Sequence, residues 1–239
     1  ISKSGGTKTK IISRGMTRSV VLDTGSVESS EKAIKYINSE EGMTLVKKCF
    51  KESSRRLELL SIEAYTTGRL LYIRYSADTQ AAMGMNMVTI ASTYSTKELL
   101  KALKEKGIYA KLVSESGNMC ADKKPSAINV IRGRGVSVVA EAVVRKEVLE
   151  AYFKANAKEI EQINYAKNYV GSSFAGSLAH NAHVANILAA TFIAYGQDVA
   201  QIVDGVNALD DAKALENGDL YISVYIPALE IGTYGGGTH

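Results

Sequence analysis

Hydrophobic positions along this chain change their spacing several times, and each change marks a different kind of element. Val20-Val21-Leu22 is a short apolar run suited to a strand. Over residues 26–38 and 43–50 the apolar positions fall at helical intervals: Ala33, Ile34 and Ile37, then Leu45, Val46 and Phe50. Residues 57–65 and 70–75 alternate and are rich in β-branched and aromatic side chains, which predicts strands. Thr66-Thr67-Gly68-Arg69 makes a hairpin turn between them. Residues 83–92 and 96–106 read as helix, and 109–113 as a closing strand. In order this is β-α-β-β-α-β, the ferredoxin-like pattern, over residues 19–113.

Beyond residue 113 the pattern changes. Residues 136–144 predict a strand, and 146–169 a charged, amphipathic helix with a break near Asn156. Residues 183–203 are rich in alanine and apolar on most sides, as in a helix buried in a larger core. Leu220, Ile222, Val224 and Ile226 alternate with Tyr221, Ser223 and Tyr225, a strand predicted to end at Pro227 and feed a glycine run. The fold class is α+β, with no internal repeat and no low-complexity linker.

Composition narrows the function. With 239 residues, 46% hydrophobic, the chain can bury one large core or two smaller ones. A net charge of +4 suits anionic small molecules and is too weak to argue for nucleic acid. Cys49 and Cys120 are too few for a disulfide framework and lack metal-ligand spacing, so a reducing compartment and no metal are expected. No window is long and apolar enough to span a membrane, and no signal-peptide pattern opens the chain. Ile1 and the glycine run just before His239 suggest an excerpt of a longer protein.

The chemistry concentrates in Ser116-Gly-Asn-Met-Cys-Ala-Asp-Lys-Lys-Pro125. Ser116, Gly117, Asn118 and Asp122 favour turns, and Pro125 disfavours helix at Lys124. An irregular loop can aim both Lys123 and Lys124 at one anion or developing oxyanion, beside the Asp122 carboxylate. Taken alone, a solvated turn is the blander reading. Met83-Gly84-Met85-Asn86-Met87 opens a helix, where Gly84 permits close approach and amides attract phosphate; three methionines there are otherwise ordinary core. His183 and Asn186 stand three apart on one helical face, as would a buried histidine satisfied by an amide. Asp198 follows a helix of little polarity, so it needs a partner or serves as the cap of the helix beginning at Val199.

Taken together, these segments resemble the 3-hydroxy-3-methylglutaryl-coenzyme A reductases. The motifs are Gly15-Met-Thr-Arg18, Met83-Gly-Met-Asn-Met87, Ser116 to Pro125 continuing through Gly133-Arg134-Gly135, Asn181-Ala-His-Val-Ala-Asn186, Gly196-Gln-Asp198 and Glu230-Ile-Gly-Thr-Tyr-Gly-Gly-Gly-Thr238, in colinear order across nearly the whole chain. Met-Gly-Met-Asn and the intact Lys-Lys loop resemble class I, the eukaryotic and archaeal form. The resemblance implies a ferredoxin-like NADPH-binding domain (19–113) inserted into a larger helix-rich substrate domain (1–18 and 114–239). It implies NADPH-dependent reduction of the 3-hydroxy-3-methylglutaryl-CoA thioester to mevalonate and CoA by two hydride transfers. Lys123 then faces the carbonyl oxygen and Asp198 orients it. Arg18, Ser116, Asp122, Lys124, Lys167, His183 and Asn186 match substrate-holding positions. Ser54, Arg55, Met83, Gly84, Met85 and Asn86 match cofactor positions, as do Gly235, Gly236, Gly237 and Thr238.

The resemblance further implies a dimer or tetramer with shared active sites, no nucleic acid, and no membrane contact within this segment. It implies a cytoplasmic catalytic domain, anchored in the endoplasmic reticulum membrane if the source is eukaryotic. A straight helix would separate His183 from Asp198 by about 22 Å at roughly 1.5 Å per residue, so both serve one reaction only if that helix breaks or two subunits contribute. Two departures stand out: Ala81 where family members carry aspartate, and Ala179-His180 where glycines are usual. The family's proton-donating glutamate and histidine have no counterpart here, and His239 falls too early. The chain alone is therefore expected to be inactive. A non-catalytic nucleotide- or CoA-binding module is the alternative. An RNA-binding domain is disfavoured, because the central strands lack paired stacking aromatics.

Overall fold

The computed structural model describes residues 1–234, and they form two compact units. One comprises Arg14–Asp122 with residues 231–234; the other comprises Ile1–Ser13 and Lys123–Glu230.

β1 (Lys8–Asp23), whose residues from Arg14 onward belong to the unit of Arg14–Asp122, is far longer than its apolar run suggests. Residues 8–14 are exposed and polar enough to hide a strand from a hydrophobicity pattern, and burial begins at Gly15 and Met16. Two capped helices follow. Ser26 accepts from the Ser29 amide to start α1 (Val27–Ile37), and Ser39 accepts from the Gly42 amide to start α2 (Glu40–Ser53). Glu40 and Glu41 add negative charge at the positive end of α2. β2 (Glu58–Thr67) and β3 (Leu70–Asp78) form the hairpin, turning at Gly68 with φ 73°.

The sequence suggests two helices next, but there is one, α3 (Met85–Glu105). The polar stretch around Ser92 and Thr96 does not break it because the hydroxyls bond back to the helix, Ser92 Oγ to the Thr89 carbonyl and Thr96 Oγ1 to the Ser92 carbonyl. β4 (Lys111–Ser114) closes the unit. The strands lie in the order β2-β3-β1-β4, every neighbour antiparallel. Val20, Leu22, Ile37, Phe50, Ile73, Tyr75 and Leu99 fill the core beneath.

The second unit begins with α4 (Ala127–Arg132), capped by Ser126 and stopped at Gly133 (φ 70°), then β5 (Gly135–Val144). The helical stretch after β5 is not continuous. α5 (Lys146–Val148) runs into a π-helical turn that stops at Lys154 in left-handed conformation, and Asn156 restarts the chain with a full capping box to Glu159. α6 (Ala157–Ile163) continues as a π-helix over Asn164–Gly171 and into α7 (Ser172–Phe174). The alanine-rich segment also splits. α8 (Val184–Ala194) ends where Gly196 turns left-handed, φ 61°, and after a 3₁₀ turn α9 (Ile202–Gly205) follows.

β6 (Leu209–Ala214) has no strand signal, since Asp210, Asp211 and Ala212 disfavour strands; it exists because β7 (Leu220–Leu229) pairs with it. β7 also pairs antiparallel with β5 and passes through Pro227 rather than ending there. The β5–β7 register shifts between Val136 and Val138, so the proline sits at a bulge. Its carbonyl accepts from Ser137 Oγ at 2.7 Å. Among the described residues, no helix is long and apolar enough to cross a membrane.

Candidate active site

The segment from Ser116 to Pro125 is irregular, as its composition requires, and it is strained. Asn118, Ala121 and Lys123 all have positive φ, 61°, 48° and 55°. The Lys123 ammonium lies 2.7 Å from Asp198 Oδ2. That separation is a charge-assisted contact, and both side chains retain some solvent access, 41% and 21%. The other Asp198 oxygen accepts the Ala200 amide at 3.1 Å, capping the 3₁₀ turn. Partner and cap, which the sequence leaves as alternatives for Asp198, both hold because a carboxylate has two oxygens.

Beneath the loop lies a network that motif reasoning missed. The Lys123 and Lys124 amides donate to Asp204 Oδ2 and Oδ1 at 2.9 and 3.2 Å. Asn129 Nδ2 donates to Asp204 at 3.3 Å, and the buried Arg134 guanidinium lies 3.5 Å from it. Arg134 also pairs with Glu230. Burial pushes the Asp204 carboxyl up, opposed by the Lys123 amide and by Arg134. Burial likewise pushes Glu230 up, to about 8, with Arg134 opposing. The sequence held clues in an arginine between two glycines and a glutamate closing an apolar strand, each needing a buried partner.

A second group lines a cleft of about 490 Å³ within the same unit. Glu141, Lys167, His183, Asp210 and Asp211 supply its ionisable wall, and Ala140, Ile222 and Val224 part of its apolar floor. Lys167 sits on the π-helical stretch and donates to Asn168 Oδ1 at 3.0 Å, and Asn168 donates to Asn164 at 2.7 Å. His183 is the left-handed residue before α8, φ 66°, with Nδ1 3.2 Å from Asn186 Nδ2. It is exposed, not a buried core histidine. Asp210 accepts the Ala182 amide at 2.8 Å, and burial raises its carboxyl. Neither Lys123 nor Asp198 lines this cleft, so these residues form two groups, Lys123 with Asp198 and Lys167 with His183. His180 is accommodated by Ser173 Oγ at 3.1 Å from Nε2 and by the Tyr169 ring.

The remaining candidates lie in the unit of Arg14–Asp122. Arg18 Nε donates to the Glu115 carbonyl at 3.1 Å; the Ser116 amide donates to Ser114 Oγ; Asp122 is half-buried at the unit's end. The described cofactor candidates lie at the end of α2 and at the start of α3. Ser54 ends α2 and accepts the Arg56 amide, with Arg55 exposed beside it. Gly84 caps α3 with φ 85° and no side-chain cap, and Met83, Met85 and Met87 pack against the core, with Asn86 exposed. The Thr233 and Tyr234 amides donate to the Ala81 carbonyl, and the Arg56 guanidinium lies 5.2 Å from the Tyr234 ring centroid. A Cβ on Gly232 would come within 2.5 Å of the Met83 nitrogen. Two cations, a long helix's positive end and close-packed glycines suit a dinucleotide phosphate. Gly235, Gly236, Gly237 and Thr238 lie outside the described residues.

By fold, the chain falls in the α+β architecture of the solved 3-hydroxy-3-methylglutaryl-CoA reductases. It superposes on the class II enzyme from Streptococcus pneumoniae bound to NADPH in open conformations with TM-score 0.67, at 18% identity, covering 99% of this chain and 63% of that one. The chain belongs to the hydroxymethylglutaryl-coenzyme A reductase family, whose model matches residues 1–239. It is 42% identical over 238 residues to the reductase of Haloferax volcanii, spanning 57% of that protein's length. Against the reductase of Methanocaldococcus jannaschii it is 42% identical and spans 58%, and against reductase 2 of Saccharomyces cerevisiae 41% and 23%.

Proposed function

We propose that this chain is part of the catalytic domain of a class I enzyme that reduces 3-hydroxy-3-methylglutaryl-CoA to mevalonate and CoA with NADPH. The observation that carries the reading is the ion pair between Lys123 and Asp198 on a strained, anchored loop. Class I is supported by 41–42% identity to archaeal and yeast relatives, against 18% to the class II structure.

NADPH, when bound, supplies the hydride for each reduction step. Each step places negative charge on the substrate's carbonyl oxygen, and the Lys123 ammonium stabilises that charge more than it stabilises the ground state. Asp198 holds the ammonium in place. Arg18, Ser116, Asp122, Lys124, Lys167, His183 and Asn186 bind and orient the hydroxymethylglutaryl group, and Lys167 suits its free carboxylate. Residues 19–113 are the ferredoxin-like NADPH-binding domain, with Ser54, Arg55 and residues 83–86 around the phosphates; Arg55 suits the 2′-phosphate. Residues 123–230 form most of the substrate domain. The working enzyme is a cytoplasmic dimer or tetramer with shared sites.

Lys123→Ala in the full-length protein tests the reading. Loss of one oxyanion donor costs about a hundredfold or more in kcat, so steady-state thioester reduction is expected to fall by at least that much. Activity within tenfold of wild type would overturn the role of Lys123.

A further inference from the structure

We propose that Asp204, braced by Arg134 and Glu230, is a positioning residue for this reaction, clamping the main chain of Lys123 and Lys124 so that the Lys123 ammonium is aimed. The proposal rests on the reductase reading given above. Lys123 is held at both ends by two carboxylates of one short segment. Asp198, before the 3₁₀ turn, takes its ammonium at 2.7 Å, and Asp204, in α9, takes its amide at 2.9 Å. The turn and α9 between them act as a spacer of fixed length, so the direction of the lysine is set by the protein and not by its own flexible stem.

The cost of this arrangement argues for a role beyond stability. Asp204, Arg134 and Glu230 are all essentially removed from solvent. Carboxylate oxygens of Asp204 and Glu230 lie within 4.8 Å of one another. A buried ionic network of this kind seldom stabilises a fold more than apolar side chains of equal volume would, and its best-attested use is to specify one geometry. The geometry needing specification is a lysine in left-handed backbone, two residues after a left-handed alanine. Such a backbone persists only if its surroundings hold it. The Lys123 and Lys124 amides provide the handle. Burial raises both carboxyls, and at Asp204 it is opposed first by the Lys123 amide and then by the Arg134 charge. A misplacement of about 1 Å at a catalytic group can cost roughly a hundredfold in rate.

Asp204→Asn preserves size but leaves one acceptor oxygen for two amides. In the full-length protein, kcat is expected to fall at least tenfold while KM for NADPH stays within twofold. By amide hydrogen exchange in the same variant, Lys123 and Lys124 are expected to exchange at least tenfold faster, with the β5–β7 ladder unchanged. A variant that merely loosened the fold would speed exchange in the ladder as well. Wild-type kcat, or unchanged protection at the two amides, would overturn the proposal. Should the variant not fold, the wild-type protein decides: the two amides must exchange at least tenfold slower than those of the exposed Glu216–Asn217 turn, and equal rates refute the clamp. If wild-type full-length protein forms no mevalonate, the reductase reading falls, and amide protection still decides whether Asp204 holds the loop.

Discussion

Lys123 adopts a backbone conformation that costs an ordinary residue roughly 1–2 kcal/mol, yet it meets Asp198 at 2.7 Å. Asp198→Asn separates the two jobs of that aspartate. The amide oxygen can still accept from the Ala200 N–H, so the cap survives, while the charge facing Lys123 is removed. Melting temperature is expected to stay within a few degrees of wild type as kcat falls tenfold or more, measured by thermal denaturation beside steady-state kinetics. A proportional loss of both would mean the aspartate matters for folding alone. At this scale the sequence was informative about identity and silent about partners. It marked Asp198 as a carboxylate in need of a cationic or hydrogen-bonding partner, or as a helix cap; it gave no sign that Asp204, six residues on, would take the amide of the same lysine.

Elements were legible where local chemistry decides them. Ser26, Ser39 and Asn156 cap their helices as short-range preference dictates, and β2 and β3 follow their alternating patterns. They were illegible where a neighbour decides. The exposed half of β1 and the acidic β6 carry no apolar alternation, and Pro227 is tolerated in β7 only because the ladder bulges opposite it. The start of α3 shows how a motif residue can be structural first. Gly84 has φ 85°, and an added Cβ would come within 2.2 Å of Thr79 Cγ2, while Thr79 Oγ1 is held by the Ala82 carbonyl at 2.7 Å. Gly84→Ala is therefore expected to destabilise the protein by about 1–3 kcal/mol through strain and overpacking, read from urea unfolding midpoints. Wild-type stability would mean that the Thr79 turn gives way freely.

For the molecule as a whole, buried charge ties stability to pH. Glu230 has an ordinary value of 4.5 and is pushed up to about 8 by burial, so the folded protein keeps a proton that the unfolded chain releases. The folded state binds more protons across that interval, so this group's contribution is fully present below about pH 4.5 and is lost as pH rises through 8. The loss is on the order of a few kcal/mol. Glu230→Gln is expected to flatten the decline of melting temperature between pH 5 and 8. An unchanged slope in the variant would assign the proton to another group.

By itself the sequence determined the short-range facts: most helices and hairpin strands, the irregular lysine loop, and motifs specific enough to imply the family. These follow from residue type and spacing, which a chain carries whether or not it is folded. Only the tertiary structure decided the pairings. Lys123 and Asp204 are 81 residues apart, and Arg134, just before β5, meets Glu230, just after β7, because those two strands pair antiparallel. Such contacts depend on how strands stack and where helices break, and burial then raises the carboxyls they enclose. No local pattern records that environment, because it exists only once the chain has closed around it.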